Sequence, residues 1–477
     1  MSAPATPRPD VERLPPQGRA ALRAGVVGNW IDNIHVFLPL TALAPAMIVL
    51  AGPAAAASTG SLIVVAMLLG RPIGGVVFGR ISDRLGRTRT TRVAIAGTAA
   101  CALVIAAMPT HEVLGVGTIA LILALRFLGG IFVAGEYSAA IPLAMEWSRP
   151  RRRGLLSGLI LSMAPWAQAS IAFAVAMLLV ILGPDAYAAW GWRLLFVLGA
   201  VASLGMLIYY SRQVADAPVF HRQARREQDR AERDRAELDR TAAARPRAGL
   251  RDMFVGRWAR TFWQVFVLMT GLWLLTNTTV LLLTGRLATD TGLPATGVSL
   301  AIGIASIAQA IVMAIAGHLS TSIGRRRVFL VWGACAATLG PLLWWLAVTS
   351  QSVGRAAVFA ALLQVITVAA YGPVAAYLSE RFPTEVRSTG YGMGYSLSLV
   401  IPALYPFYLP GIEALLGRDG SVMALISLGG ALLILGAALG PRLGPGEVDA
   451  ELDRVVGAPT TTVDPTYPSA GEKETSR

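Results

Sequence analysis

Runs of predominantly apolar residues, most of them eighteen to thirty long, alternate with shorter polar connections along most of the chain. Twelve such runs can be drawn, at 22–50, 58–79, 92–109, 115–142, 155–182, 191–210, 260–284, 296–317, 328–349, 355–378, 389–411 and 421–440. A run of about twenty residues spans roughly 30 Å of hydrocarbon at ~1.5 Å per residue. The pattern predicts helices, because an open sheet would leave backbone amides and carbonyls without partners in lipid. The expected architecture is an all-α integral membrane protein of twelve transmembrane helices in two pseudo-symmetric six-helix bundles, 22–210 and 260–440. A charged connection at 211–259 joins them, and tails at 1–21 and 441–477 flank them.

Composition agrees with that pattern. Of 477 residues 55% are hydrophobic and only 14% charged, and the mean hydropathy is +0.58, too apolar for a soluble core to hide. The net charge of +13 raises nucleic acid as a partner, but the arginines sit in short connections rather than on one soluble face, so lipid is the expected surroundings. Arg80, Arg84, Arg87, Arg89 and Arg92 surround the second connection, and Arg149, Arg151, Arg152 and Arg153 the fourth. The first and third, 51–57 and 110–114, hold no Lys or Arg, and later alternate connections carry single arginines such as Arg286, Arg355 and Arg418. That asymmetry predicts a multi-pass protein of the inner (plasma) membrane with both termini cytoplasmic. The first twenty residues lack an apolar stretch and a cleavage signature, so no removable leader is expected. Cys101 and Cys335 lie within apolar runs and read as packing residues. Mixed charge over 219–241 predicts a linker helix on the headgroups, and the tail after 441 reads as disordered.

The two halves repeat each other. GRISDRLGRTR at 79–89 returns as GHLSTSIGRRR at 317–327, an offset of 317 − 79 = 238. Glu146 precedes Arg153 by seven residues and Glu380 precedes Arg387 by seven, an offset of 380 − 146 = 234. Two matches at nearly one offset, in equivalent connections, indicate a duplicated bundle, the plan of many transporters with a substrate site at the repeat interface.

With Gly79, Asp83, Arg84, Gly86 and Arg87 in place, the first of these segments resembles the loop motif of the major facilitator superfamily. The RPIGG at 71–75, RFLGG at 126–130, GEY at 135–137, WGWR at 190–193 and ERFPTEVR at 380–387 narrow the likeness to the metabolite:proton symporter family, over nearly all of 21–440. The resemblance implies proton-driven movement of organic acids or zwitterions, and a gating role for the loop residues and their second-half counterparts Gly317, Gly324 and Arg325. Physically, a carboxylate at Asp83 is suited to a helix N-terminus, where unpaired N–H groups and the dipole favour it and arginines can pair with it. The bland alternative is that these arginines only set topology. Three departures stand out: NWIDN at 29–33 where the family commonly has EWxDF, Gly129 in place of a glutamine, and Thr321 where an acid often stands.

Ionisable groups within the hydrocarbon are costly and are the default site candidates. Counted from the run edges, Asp32 and Arg126 lie at about the same depth, ~15 Å, and are expected to pair until an anionic substrate takes the arginine and Asp32 takes a proton. A purely structural buried pair is the alternative. Glu136 and Tyr137 follow toward the cytoplasmic end, with Arg71 or Arg80 as possible counterions for Glu136; Asn29 holds the position of a family acid. His35, three residues beyond Asp32, either tunes it or packs. Second-half candidates are Trp273, Asn277, Gln309, Gln364, Tyr371, Tyr391 and Tyr395, of which two or three are expected to line a cavity. GYGMGY at 390–395 suits close helix approach or a bend. No phosphate-binding motif, metal-ligand cluster or nucleophile–base set stands out. The expectation is therefore a monomeric transporter, not an enzyme, with no cofactor or metal, driven by the proton gradient and carrying a small anionic or zwitterionic molecule. Rivals are a proton antiporter exporting a metabolite or drug, and a receptor or scaffold that binds without transport.

Overall fold

The computed structural model describes residues 14–52, 56–218 and 250–442. The predicted linker helix at 219–241 lies outside the described residues, as do most of the two tails. The main helices are α1 (Pro16–Thr41), α2 (Ala56–Leu85), α3 (Arg87–Ala106), α4 (Val116–Trp147), α5 (Arg153–Ala186) and α6 (Trp192–Gln213) in the first half. The second half holds α7 (Ala259–Thr276), α8 (Ala295–Ile323), α9 (Arg325–Val348), α10 (Val353–Thr367), α11 (Arg387–Leu397) and α12 (Arg418–Ala438). Among the described residues ten helical stretches are long and apolar enough to cross a membrane, and a bent pair makes an eleventh. One of the ten, Pro150–Gln213, is 64 residues long, about 96 Å at the helical rise and far beyond one crossing. Gly183, with φ 79°, kinks it near the end of α5 and separates that crossing from α6, giving twelve runs.

Helix ends depart from the apolar runs in one consistent way. α1 begins at Pro16, six residues before the expected boundary, and α2 and α4 continue to Leu85 and Trp147. On the arginine-rich face the helices project past the hydrocarbon, where hydrogen-bonded turns with polar side chains cost little. At the other face the first run is interrupted. Pro39 stands inside α1, and the chain continues through a 3₁₀ turn at Ala44–Ala46 into the short helix Met47–Ala51.

The halves pack in matching ways. In the first, α2 and α3 pack on α4, and α1 and α3 on α6; in the second, α8 and α9 pack on α10, and α7 and α9 on α12. The two most extensive contacts between the halves exchange under the same pseudo-twofold: α2 against α11 and α5 against α8. Both depend on small residues. A Cβ on Gly79 would lie 2.9 Å from the Thr389 Cα, and one on Gly317 2.5 Å from the Gly158 Cα. Gly86 (φ 99°) and Gly324 (φ 93°) supply the positive-φ turns from α2 to α3 and from α8 to α9, where a side chain would be strained. GYGMGY is a close-approach segment: a Cβ on Gly392 would meet the Ser138 Oγ at 2.2 Å. The 47° bend falls a few turns later, between Ala403 and Tyr405.

Candidate functional site

Between the halves lies a cavity of about 90 Å³ lined by residues of both. Asn33, Arg71, Tyr137 and Gln168 face it from the first half; Trp273, Thr276, Asn277, Gln309, Tyr371 and Tyr395 face it from the second. The second-half wall is irregular helix, for local reasons. Thr276, Asn277, Thr278 and Thr279 each bond a main-chain carbonyl four residues back, at 2.9, 2.8, 2.8 and 2.8 Å. Such bonds compete with the helical ladder, and α7 widens into a π turn over Asn277–Leu282. After α10 the chain tightens into a 3₁₀ turn at Val368–Tyr371 just before Pro373. Broken helices are tolerated at membrane depth where they line a cavity.

Arg71 is the one charged side chain in this wall. Its guanidinium carbon lies 5.1 Å from the Tyr137 ring centre and 5.6 Å from that of Trp273, a cation–π arrangement. Tyr137 packs on Tyr395 at 5.1 Å, and Trp273 meets Tyr371 and Tyr395 edge-on at 5.6 and 5.0 Å. The Trp273 indole N–H donates to the Tyr395 carbonyl at 2.8 Å, just before the backbone leaves α11. Among the described residues Arg71 takes part in no ion pair. An arginine in the middle of the run 58–79 should have drawn the attention given to Arg126; it was read only as a counterion.

The expected Asp32–Arg126 pair is not formed. Arg126, buried, donates to the His35 carbonyl at 2.9 Å. The reason is Pro39: four residues after His35, it has no N–H, so that carbonyl has no helical donor. Depth counted from run edges fixes neither rotation about the helix nor an orphaned carbonyl. Asp32 is instead hydrogen-bonded to Glu136, with Arg71 the cation acting on it. Thr98 donates to Glu136 at 2.9 Å, so neither Arg71 nor Arg80 serves as the counterion expected for Glu136. His35 bonds Ser203 on α6 at 2.8 Å rather than Asp32. Asn29 donates to the Ile160 carbonyl at 2.6 Å and ties α1 to α5. Asn29, Asp32, His35, Arg126 and Glu136 are all buried behind the cavity wall, and only Tyr137 of the first-half candidates lines it. Trp273, Asn277, Gln309, Tyr371 and Tyr395 line it too, more than the two or three expected; Gln364 and Tyr391 are buried outside it.

At the arginine-rich face the repeated acids and arginines interlock. Glu146 binds Arg87 of its own half at 3.2 Å and Arg387 of the other at 2.9 Å. Glu380 binds Arg325 of its own half at 3.0 Å and Arg153 of the other at 3.4 Å. Asp83 accepts from the Ser388 and Thr389 amides at 3.0 and 2.8 Å, at the N-terminus of α11, and pairs with Arg87 at 3.3 Å. The halves are thus tied together on this side. Arg84, expected to belong to the gate, is exposed and forms no ion pair among the described residues.

Comparisons with known proteins agree with this geometry. The family model described as Major Facilitator Superfamily matches residues 33–406. The inner membrane metabolite transport protein YhjE of Escherichia coli is 26% identical over 431 residues, covering 87% of this chain and 92% of that protein. The glycine betaine/proline/ectoine/pipecolic acid transporter OusA of Dickeya dadantii is 27% identical over 343 residues, 70% of this chain and 65% of its own length. Among solved structures, that of the proton:xylose symporter XylE superposes with a TM-score of 0.70 at 18% identity, covering 88% of this chain and 94% of that one, a likeness of fold. The chain belongs to the Major Facilitator Superfamily and is a multi-pass membrane transporter rather than an enzyme.

Proposed function

We propose that the chain is a proton-coupled symporter for a small monocarboxylate or carboxylate-bearing zwitterion, with its arginine-rich face and both termini in the cytoplasm. The carrying observation is Arg71, the one charged side chain of the cavity wall, without an ion pair among the described residues and framed by Tyr137 and Trp273. A single guanidinium neutralises a single carboxylate; a dicarboxylate would bring a second anion into a wall that offers no further cation. Aromatic faces around it suit the apolar or cationic remainder of a zwitterion. The printed substrates of OusA are of this kind.

Coupling follows from charge. Asp32 and Glu136 share a hydrogen bond, and two buried carboxyl groups in such contact hold a proton between them. Arg71 is the cation whose charge acts on Asp32. A carboxylate bound to Arg71 cancels that field, so anion and proton bind with mutual reinforcement, and by linkage each raises the other's affinity. Arg71 thereby takes the role first expected of Arg126. The loop arginines support the orientation through the positive-inside rule, and the ties through Glu146 and Glu380 support a state closed toward the cytoplasm. An exporter of organic cations would favour a carboxylate in the wall, and none stands there.

The test is purified protein in proteoliposomes loaded with a pH indicator, given L-proline, glycine betaine, succinate or a hydrophobic cation outside. The expected result is lumen acidification triggered by the first two, lost in Arg71→Gln and uncoupled in Glu136→Gln. Lumen alkalinisation by the hydrophobic cation alone would replace this reading with proton-exchange export.

A further inference from the structure

Two asparagines, Asn29 and Asn33, separate this chain from the EWxDF pattern of the family it resembles, and the second reaches the cavity. Its Nδ2 donates to the Asn29 carbonyl at 2.7 Å and to the Tyr137 hydroxyl oxygen at 2.7 Å. Asparagine amides can be placed with nitrogen and oxygen interchanged, but a main-chain carbonyl only accepts, so the Asn29 contact fixes this one. Both amide hydrogens are then spent, one on each neighbour, and the Tyr137 oxygen is an acceptor. Arg71 stands over the same ring, its guanidinium carbon 5.1 Å from the ring centre. With its oxygen accepting from Asn33, the Tyr137 hydroxyl keeps its own proton to donate, and among the described residues no acceptor receives it. Tyr137 lines the cavity beside Arg71.

We propose that Asn33 is a positioning residue that turns the Tyr137 hydroxyl into a hydrogen-bond donor aimed at the substrate carboxylate held by Arg71. This rests on the carboxylate reading of the cavity and adds to it a second, directional anchor. An aromatic residue at position 33 would leave the phenol free to donate elsewhere and the anchor unset. With both amide hydrogens of Asn33 taken by its neighbours, its effect on the substrate runs through Tyr137.

Two measurements separate the inference from the reading beneath it. The first needs no substrate. In protein carrying ¹³C-labelled tyrosine, infrared difference spectra of wild type against Tyr137→Phe isolate the phenol C–O band, which moves in opposite directions for accepting and donating hydroxyls. An acceptor-type band in wild type that shifts in Asn33→Leu is expected; a band unmoved by Asn33→Leu overturns the proposal whatever the protein transports. The second is a double-mutant cycle on L-proline and glycine betaine uptake. Asn33→Leu and Tyr137→Phe should each raise KM about tenfold, the range for a lost hydrogen bond to a charged group, with kcat changed less than about twofold. The double variant should be little worse than either single one. Additive effects, or a loss confined to kcat, would overturn the positioning role while leaving transport intact. If neither solute moves but the band shift is present, the substrate class is wrong and the hydroxyl orientation stands. Asn33→Asp, equal in size, checks for simple misfolding: it should fold, accept the phenol proton and weaken uptake more than Asn33→Leu.

Discussion

The two main junctions between the halves share one plan and differ in one acid. At α2–α11, two carboxylates, Asp83 and Glu146, meet Arg87 and Arg387, and the Asp83 oxygens also receive the first amides of α11. At α5–α8, among the described residues, one carboxylate, Glu380, meets Arg325 and Arg153, and Thr321 occupies the place of the second acid. Thr321 accepts from Arg325 at 3.2 Å, and its Oγ1 lies close enough to Gly154 that a Cβ there would be 2.2 Å away. The first junction balances charge and caps a helix. The second holds by packing and one shared acid. A pseudo-twofold protein can therefore close one face with unequal locks, and the weaker is the one expected to yield first when that face opens.

Removing the shared acid of the stronger lock should have the largest effect. Glu146→Gln leaves Arg87 and Arg387 buried without its charge, and breaking a buried pair from one side costs ~3–5 kcal/mol. Inverting a two-state equilibrium from 1:99 to 99:1 takes about 5.5 kcal/mol, so this variant should sit largely open on the arginine-rich face. Spin-label distances across α2 and α11 would lengthen; unchanged distances would mean that packing alone seals the junction. Asp83→Asn should act in the same direction but less. It keeps one acceptor oxygen for the two amides that Asp83 takes on separate oxygens and loses the charge at a helix N-terminus, worth up to ~2 kcal/mol when partly buried. The same distances should show a mixed population in place of a full switch.

Much of this was legible beforehand, for identifiable reasons. The twelve apolar runs follow from bilayer thickness, and the Asp83 cap from the fit of a carboxylate to a helix N-terminus. The locks came from the internal repeat: Glu146 and Glu380, each seven residues before an arginine, lie in equivalent connections. The cavity was harder, because which side of a helix a residue faces depends on packing that periodicity does not specify in uniformly apolar runs. Asp32 and Arg126 were matched by depth and sit with other partners. The decisive local signal was Pro39, which frees the carbonyl that Arg126 takes. Arg71 is visible in the sequence as an intramembrane charge and a possible counterion for Glu136, but it stands over one ring of its own half, Tyr137, and one of the other, Trp273.

The comparison can also be sharpened by repairing the weaker lock. Thr321→Asp adds a carboxylate of similar size beside Arg325, in a junction whose named groups carry one acid for two guanidinium groups. The charge should stabilise the closed face by roughly 1.5 kcal/mol, the low end for a hydrogen bond to a charged group, about a tenfold shift in population. Transport should slow wherever opening of that face limits turnover, and Asp83→Asn/Thr321→Asp should recover part of the closed population lost in Asp83→Asn alone. Failure to recover would locate the value of Asp83 in its cap on α11, which Thr321→Asp cannot replace at the start of α5. Arg84→Gln completes the series at its smallest end. Arg84 is exposed and outside both locks, so neither the distances nor the uptake should change measurably, as is usual for surface substitutions. A clear loss there would show that the loop's positive charge, beyond the buried pairs of Arg87, sets the balance between the two faces.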